Sequence, residues 1–298
     1  MVKKQDPVGV IGTGLMGTAC ARRMLGAGFE VFGFDADPQK LAKFGEMGGR
    51  SAGSPAELVT ACRHIVLAVF NTAQVEEIIA GPGGLLEILP AGAAPLTVVC
   101  VSTCDPDRIA ALAARLPADR LLFVEAPISG TSEQTAHGEG LGLIGGDRAA
   151  VDHARCVLDA ICPRRHYLGA AGNGGRAKLA INLILGVNRA ALAEGLVFAE
   201  RMGLDAASFL AVARDSAAYS QIMDVKGAKM AAGDFAPHGK ITQTLKDFLL
   251  MLDLASRYGQ FLPLAHTYSD LVQGCVAHDE GDWDNSAVIQ EIRRRRTG

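Results

Sequence analysis

What this chain of 298 residues lacks narrows it first. Neither sign of charge dominates: 29 Lys and Arg against 32 Asp and Glu leave a net −3. With a pI near 6.2, that balance argues against a general nucleic-acid binder. Seven cysteines form an odd set with no CxxC and no Cys/His cluster at zinc spacing, so reduced thiols and no metal are expected. The opening MVKKQDP has no apolar core of a signal peptide. No uninterrupted apolar run reaches the ~20 residues of a membrane span. No repeat period or low-complexity segment interrupts the chain. These absences lead to an expectation of a cytoplasmic protein of one or two domains, without nucleic-acid or membrane partners.

What is present begins at once. Val8 to Ile11 is an apolar run that enters Gly12-Thr13-Gly14-Leu15-Met16-Gly17, and a helical pattern follows to Ala27. A second apolar run from Phe29 to Phe34 ends in Asp35. A GxGxxG between strand and helix, with an acid closing the next strand, is the dinucleotide-binding fingerprint in its full context. Gly12 allows the tight turn, Gly14 the approach of a pyrophosphate, and Gly17 close helix–strand packing. The phosphates would meet Gly12, Thr13, Gly14, Leu15 and Met16 at the positive end of the helix. Asp35 would accept the adenine ribose hydroxyls and repel a 2′-phosphate, which favours NAD over NADP.

Further strand patterns run over Arg63–Phe70, Leu96–Val101, Leu121–Val124, Leu141–Ile144 and Arg165–Leu168, with a helix from Arg148 to Ala160. Three of them end in small polar residues: Asn71-Thr72, Ser102-Thr103, and the segment from Glu125 through Ser129-Gly130 to Thr131. Ligands of doubly wound sheets bind beyond the carboxyl ends of strands, so Asn71 and Thr103 join the cofactor candidates.

From Gly172 onward only helical patterns appear. The first, GNGGRAKLAINLILGVNRAALAEGLVFAER, is apolar around most of its circumference and is expected to be buried on nearly every side. Lys178 and Asn182 break it on one face, one turn apart. Helices follow at Ala206–Ala213, Ala217–Met230, Ile241–Tyr258, Leu264–Ala277 and Ser286–Arg296, and Lys246-Asp247 is set in an apolar stretch of the third. The basic run Arg293–Arg296 reads as a solvated tail. The fold class expected is α/β: an N-terminal Rossmann-like doubly wound sheet (residues 1–169) plus an all-α C-terminal domain (170–298).

These motifs together resemble the β-hydroxyacid dehydrogenase family, which includes 3-hydroxyisobutyrate dehydrogenase, tartronate semialdehyde reductase and 6-phosphogluconate dehydrogenase. GTGLMG matches its cofactor loop, Ser102-Thr103 its strand-end pair and Ala126–Gly130 its substrate segment. GNGGRAKLAIN matches its catalytic segment, Lys246-Asp247 its Lys-Asp pair, and DWDNSA its closing pattern. The resemblance implies Lys178 as general acid/base and Asn182 as its assistant. It implies Ser129, Gly130, Thr131 and Lys246 around the substrate, with Lys246 also near NAD or, less favoured, NADP. Substrates would be a small hydroxyacid or its semialdehyde, and the assembly a homodimer or homotetramer. Two departures bear on substrate: Thr131 replaces a usual glycine in an unusually polar loop, and His238-Gly239 replaces a usual Gly-Phe. An imine reductase or a non-catalytic binding relative would share the fold, but Lys178 argues against both.

Overall fold

A computed structural model describes residues 6–295; the expectations for residues 1–5 and for Arg296 lie outside them. Nine strands are present: β1 (Val8–Ile11), β2 (Val31–Phe34), β3 (Arg50–Ser51), β4 (His64–Leu67), β5 (Leu96–Cys100), β6 (Leu121–Glu125), β7 (Ile128–Ser129), β8 (Leu141–Gly146) and β9 (Arg164–Tyr167). They lie in the order β3-β2-β1-β4-β5-β6-β8-β7, and β9 pairs with β8. From β3 through β6 every pairing is parallel, with Val10 opposite both Gly33 and Val66. β8 runs antiparallel to β6. Successive residues of one strand feed opposite cores: Val66 and Val99 one, Ile65, Leu67, Val98 and Cys100 the other. That two-sided burial explains why these strands read as unbroken apolar runs. This is the doubly wound sheet expected.

Helix starts in this unit repeat one device. Asp37, Ser54 and Asp105 each cap a helix whose first residue is proline, so the cap satisfies a free N–H and the ring fixes φ. The single helix expected from Arg148 to Ala160 is two, Arg148–His153 and Arg155–Ile161, joined at Ala154. β3 and β7, two residues each, are too short to show a period in sequence.

Packing separates residues 1–178 from 179–298, and each unit is described by itself. Among the described residues the second unit has no strand, only an isolated bridge between Lys240 and Asp284. Its core closes where Gly186 admits the Phe248 ring, which meets Tyr268 edge-on at 4.6 Å. The expected helix over Ala217–Met230 is instead a π-helical turn, Met223–Gly227, followed by Ala228–Ala232.

One further expectation is corrected and another refined. The long helix, Asn173–Arg201, is not covered all round: Ile184 is 61% and Phe198 64% exposed. Its polar residues interrupt any continuous run, yet by length and composition it is long and apolar enough to cross a membrane. The basic run is solvent-exposed at Arg294 and Arg295, as expected, but it is paired rather than loose. Arg293 pairs with Glu200, Arg294 with Glu280 and Glu291, and Arg295 with Asp270 and Glu291. These pairs tie the last helix, Val288–Arg294, to the rest of its unit.

Candidate active site

The nucleotide loop is built as its glycines require. Gly12 has φ +92, and a Cβ there would stand 2.5 Å from the Ala68 carbonyl oxygen. A Cβ on Gly17 would fall 1.8 Å from Gly12 O, so that helix turn can only be glycine. Around Gly14 a Cβ would meet nothing within 4 Å. Gly14 also caps the helix Leu15–Gly26 without any side-chain acceptor. An open approach to N–H groups lacking a side-chain cap is what a pyrophosphate needs. Asp35, just beyond β2, accepts the Thr13 N–H at 2.7 Å and the Asp37 N–H at 2.9 Å. The acid therefore holds the loop in shape, and its remaining lone pairs can take ribose hydroxyls.

At the strand ends the polar residues divide into fasteners and candidates. Ser102 Oγ bonds both the N–H and the carbonyl of Val69, lacing β5 to the end of β4, with Thr103 next in line. Asn71 caps the helix Thr72–Ala80 in a reciprocal box with Gln74; its side-chain oxygen is engaged there. Thr131 does the same with Gln134. Its N–H donates to Gln134 Oε1 at 2.9 Å. The polarity of this loop serves a helix start. Ser129 lies on β7, and Gly130 follows it at φ +141.

Lys178 is drawn to this segment. It is 8% exposed, and its Nζ donates to Ile128 O at 2.7 Å, one residue before Ser129. An ammonium so deeply buried is costly unless hydrogen-bonded and set against polar chemistry.

In the helical unit, one turn further along the same helix, Asn182 Nδ2 donates to Asp247 Oδ2 at 3.0 Å. Lys246 Nζ lies 2.9 Å from Asp247 Oδ1, and Gln243 Nε2 reaches the same oxygen at 3.3 Å. Asp247 thus fixes both Asn182 and Lys246, a role that sequence pairing with Lys246 hinted at but did not define. Sequence reasoning missed Gln243 altogether, along with Glu125, whose carboxylate bonds the turn leading into Lys178. A Gly-rich turn facing an acid at a strand end was the available signal.

Residues 7–169 match the NAD-binding domain of 6-phosphogluconate dehydrogenase. Residues 172–292 match the model described as NAD-binding of NADP-dependent 3-hydroxyisobutyrate dehydrogenase. The chain is 33% identical to L-threonate dehydrogenase of Cupriavidus necator, over 95% of each sequence. It is 28% identical to glyoxylate/succinic semialdehyde reductase 1 of Arabidopsis thaliana, over 97% of this chain and 99% of that one. The crystal structure of 3-hydroxyisobutyrate dehydrogenase from Salmonella typhimurium superposes with a TM-score of 0.85 at 30% identity, covering 96% of this chain and 99% of that one. The chain belongs to the β-hydroxyacid dehydrogenase family and is an NAD(P)-dependent oxidoreductase acting on a CH–OH group.

Proposed function

We propose that this enzyme interconverts a short hydroxyacid, of three to six carbons, with its semialdehyde or keto form, using NAD and Lys178 as general acid/base. The observation that carries the reading is the buried Lys178 ammonium, 2.7 Å from Ile128 O and next to Ser129 and Gly130. Bound NAD(P) supplies the two-electron acceptor or donor for the carbon. The glycine loop and Asp35 hold that cofactor. Ser129 and Gly130 orient the substrate carboxylate. Lys178 polarises the reacting oxygen and moves its proton, work worth ~10²–10⁴ in rate. Asn182, assigned by the family pattern to assist the lysine, keeps its orientation through Asp247. The pattern also places Lys246, on the other oxygen of Asp247, with substrate and cofactor. A screen of hydroxyacids with NAD, and of semialdehydes with NADH, tests the assignment. Turnover of at least one class is expected; none in either direction removes it.

Asp35 supports NAD as the preferred cofactor. A 2′-phosphate would approach this carboxylate and that of Asp37, two residues on, and like charges in contact cost several kcal/mol. The expected kcat/KM with NAD exceeds that with NADP by on the order of 100-fold, and Asp35→Ser should erase most of the gap. Equal efficiency with both cofactors in the unaltered enzyme would refute the preference.

The exposed apolar residues of the helical unit, Ile184, Phe198, Met202, Leu204 and Val212, support a homodimer in which this unit packs against its copy. Light scattering should give about twice the 31.1 kDa chain mass, and Ile184→Glu with Phe198→Glu should return it to the monomer. A monomeric parent protein contradicts the dimer; a fourfold mass extends it to a tetramer.

A further inference from the structure

The turn that launches the lysine-bearing helix closes around a carboxylate that the chemistry above does not use. Glu125, the last residue of β6, is buried. Its Oε2 accepts the Gly172 N–H at 2.8 Å and its Oε1 the Gly175 N–H at 2.9 Å. Three glycines make the room. A Cβ at Gly145 would stand 2.7 Å from Oε2, one at Gly175 2.7 Å from Oε1, and one at Gly174 3.0 Å from Oε2. The carboxylate therefore sits against the first N–H groups of a 29-residue helix, at its positive end. Lys178 follows Gly175 by three residues, and its Nζ is held by Ile128 O. Glu125 and Ile128 are themselves three residues apart, so one short segment grips both the start of the helix and its amine.

We propose that ionised Glu125 is a positioning residue for Lys178: it clamps the helix start, and its protonation loosens that clamp and sets the acid limb of the enzyme's pH–rate profile. The proposal rests on Lys178 being the acid–base group. Each carboxylate oxygen already faces an N–H, so protonation removes the charge that strengthens these bonds and puts an O–H where an acceptor was. The groups facing Glu125 do not neutralise it. Arg176, on the same helix, is bonded to Asp107 and Asn173, and the other neighbour is the buried Cys100 thiol of β5, beside Cys104. Burial pushes the carboxyl up to about 7, against the pull of the Gly172, Gly175 and Gly174 N–H groups and of Arg176. The protonation change thus falls within the range where the enzyme is assayed.

The test uses full-length Glu125→Gln and Glu125→Asp, assayed in the direction of carbonyl reduction from about pH 5 to about 9. In that direction Lys178 must carry its proton, so protonating it cannot slow the reaction and the acid limb belongs to Glu125. Wild type should lose kcat below about pH 7. Glu125→Gln should lack that limb and show a plateau kcat about 10-fold lower, the loss of one charge-assisted hydrogen bond. KM for the cofactor should stay within about twofold. A second readout is thermal stability. A carboxyl raised above its unfolded value binds its proton more tightly when folded, so ionisation removes stability as pH rises from about 4.5 to about 7. The Tm of Glu125→Gln should accordingly gain on wild type over that interval. Glu125→Asp should restore an acid limb at a displaced pH; if Gln does not fold, this variant decides. An acid limb and plateau kcat unchanged from wild type in the folded variant overturn the proposal. Loss of activity in Lys178→Met alongside that result leaves the catalytic reading intact, whereas full activity in Lys178→Met removes both.

Discussion

Replacing Lys178 with methionine is expected to lower kcat by on the order of 10²–10⁴, the range of a lost general acid/base, with the Kd for NAD changed by no more than about twofold. Methionine suits the site because it is a long, unbranched, strong helix former close to lysine in shape. The change leaves the Ile128 carbonyl without the donor it has at 2.7 Å, which costs about 1–3 kcal/mol of stability. That loss would move Tm but cannot remove several decades of turnover from enzyme that remains folded. Lys178→Arg sharpens the test. It keeps the positive charge yet cannot release its proton, so it should be nearly as slow as methionine. Steady-state rates with calorimetric titration of NAD separate the two effects. Wild-type turnover in Lys178→Met would exclude the lysine.

The second large effect belongs to stability. Lys226 and Asp284 form an ion pair at 2.8 Å, 2% and 0% exposed. Asp284 also accepts the N–H groups of His238 and Gly239 and both the N–H and hydroxyl of Ser286. One carboxylate thus fastens the loop before the helix Ile241–Arg257, the turn Met223–Gly227 and the start of the final helices. Removing either partner strands a buried charge, so Lys226→Met or Asp284→Ala should each cost about 3–5 kcal/mol in denaturant unfolding. The double variant Lys226→Met with Asp284→Leu should recover part of that loss, since it leaves no orphan charge. Burial alone would raise Asp284, but Lys226 and the Ser286 groups outweigh it and hold the carboxyl at about 2. A depressed carboxyl contributes stability above its unfolded value, near 3.8, and loses it as pH falls through about 2. The penalty of Asp284→Ala should therefore be full at neutral pH and shrink at strongly acidic pH. A cost below about 1 kcal/mol for either single variant would show that the pair does not hold this unit together.

These two sites also show what sequence reading reaches and where it stops. The glycine loop, Asp35 and the Lys178–Asn182 pair were legible because their spacing is local: turn, strand end and helix turn each fix geometry within a few residues. Asp247 lies 65 residues from Asn182, and Asp284 lies 58 from Lys226, so nothing local announces either bond. The cap made by Thr131 was not read because a capping box and a ligand-binding loop use the same residue types. The pairing of the basic run was not legible because most of its acidic partners are distant in sequence: Glu200 and Asp270 on other helices and Glu280 in a loop, with only Glu291 in the same helix. Burial of the long helix was overestimated for a different reason. Apolar periodicity reports which faces avoid water, not whether this chain or another copy covers them.

Oxidation of a panel of short hydroxyacids by the wild-type enzyme and by Lys178→Met, followed as NADH formation with a cyclic imine and NADH as a parallel arm, probes the active-site assignment at its root. Steady NADH production from at least one hydroxyacid, collapsing in the variant and absent from the imine arm, is the result foreseen. An enzyme that binds NAD, leaves every hydroxyacid and semialdehyde untouched, and reduces the imine equally well with or without the amine would contradict it.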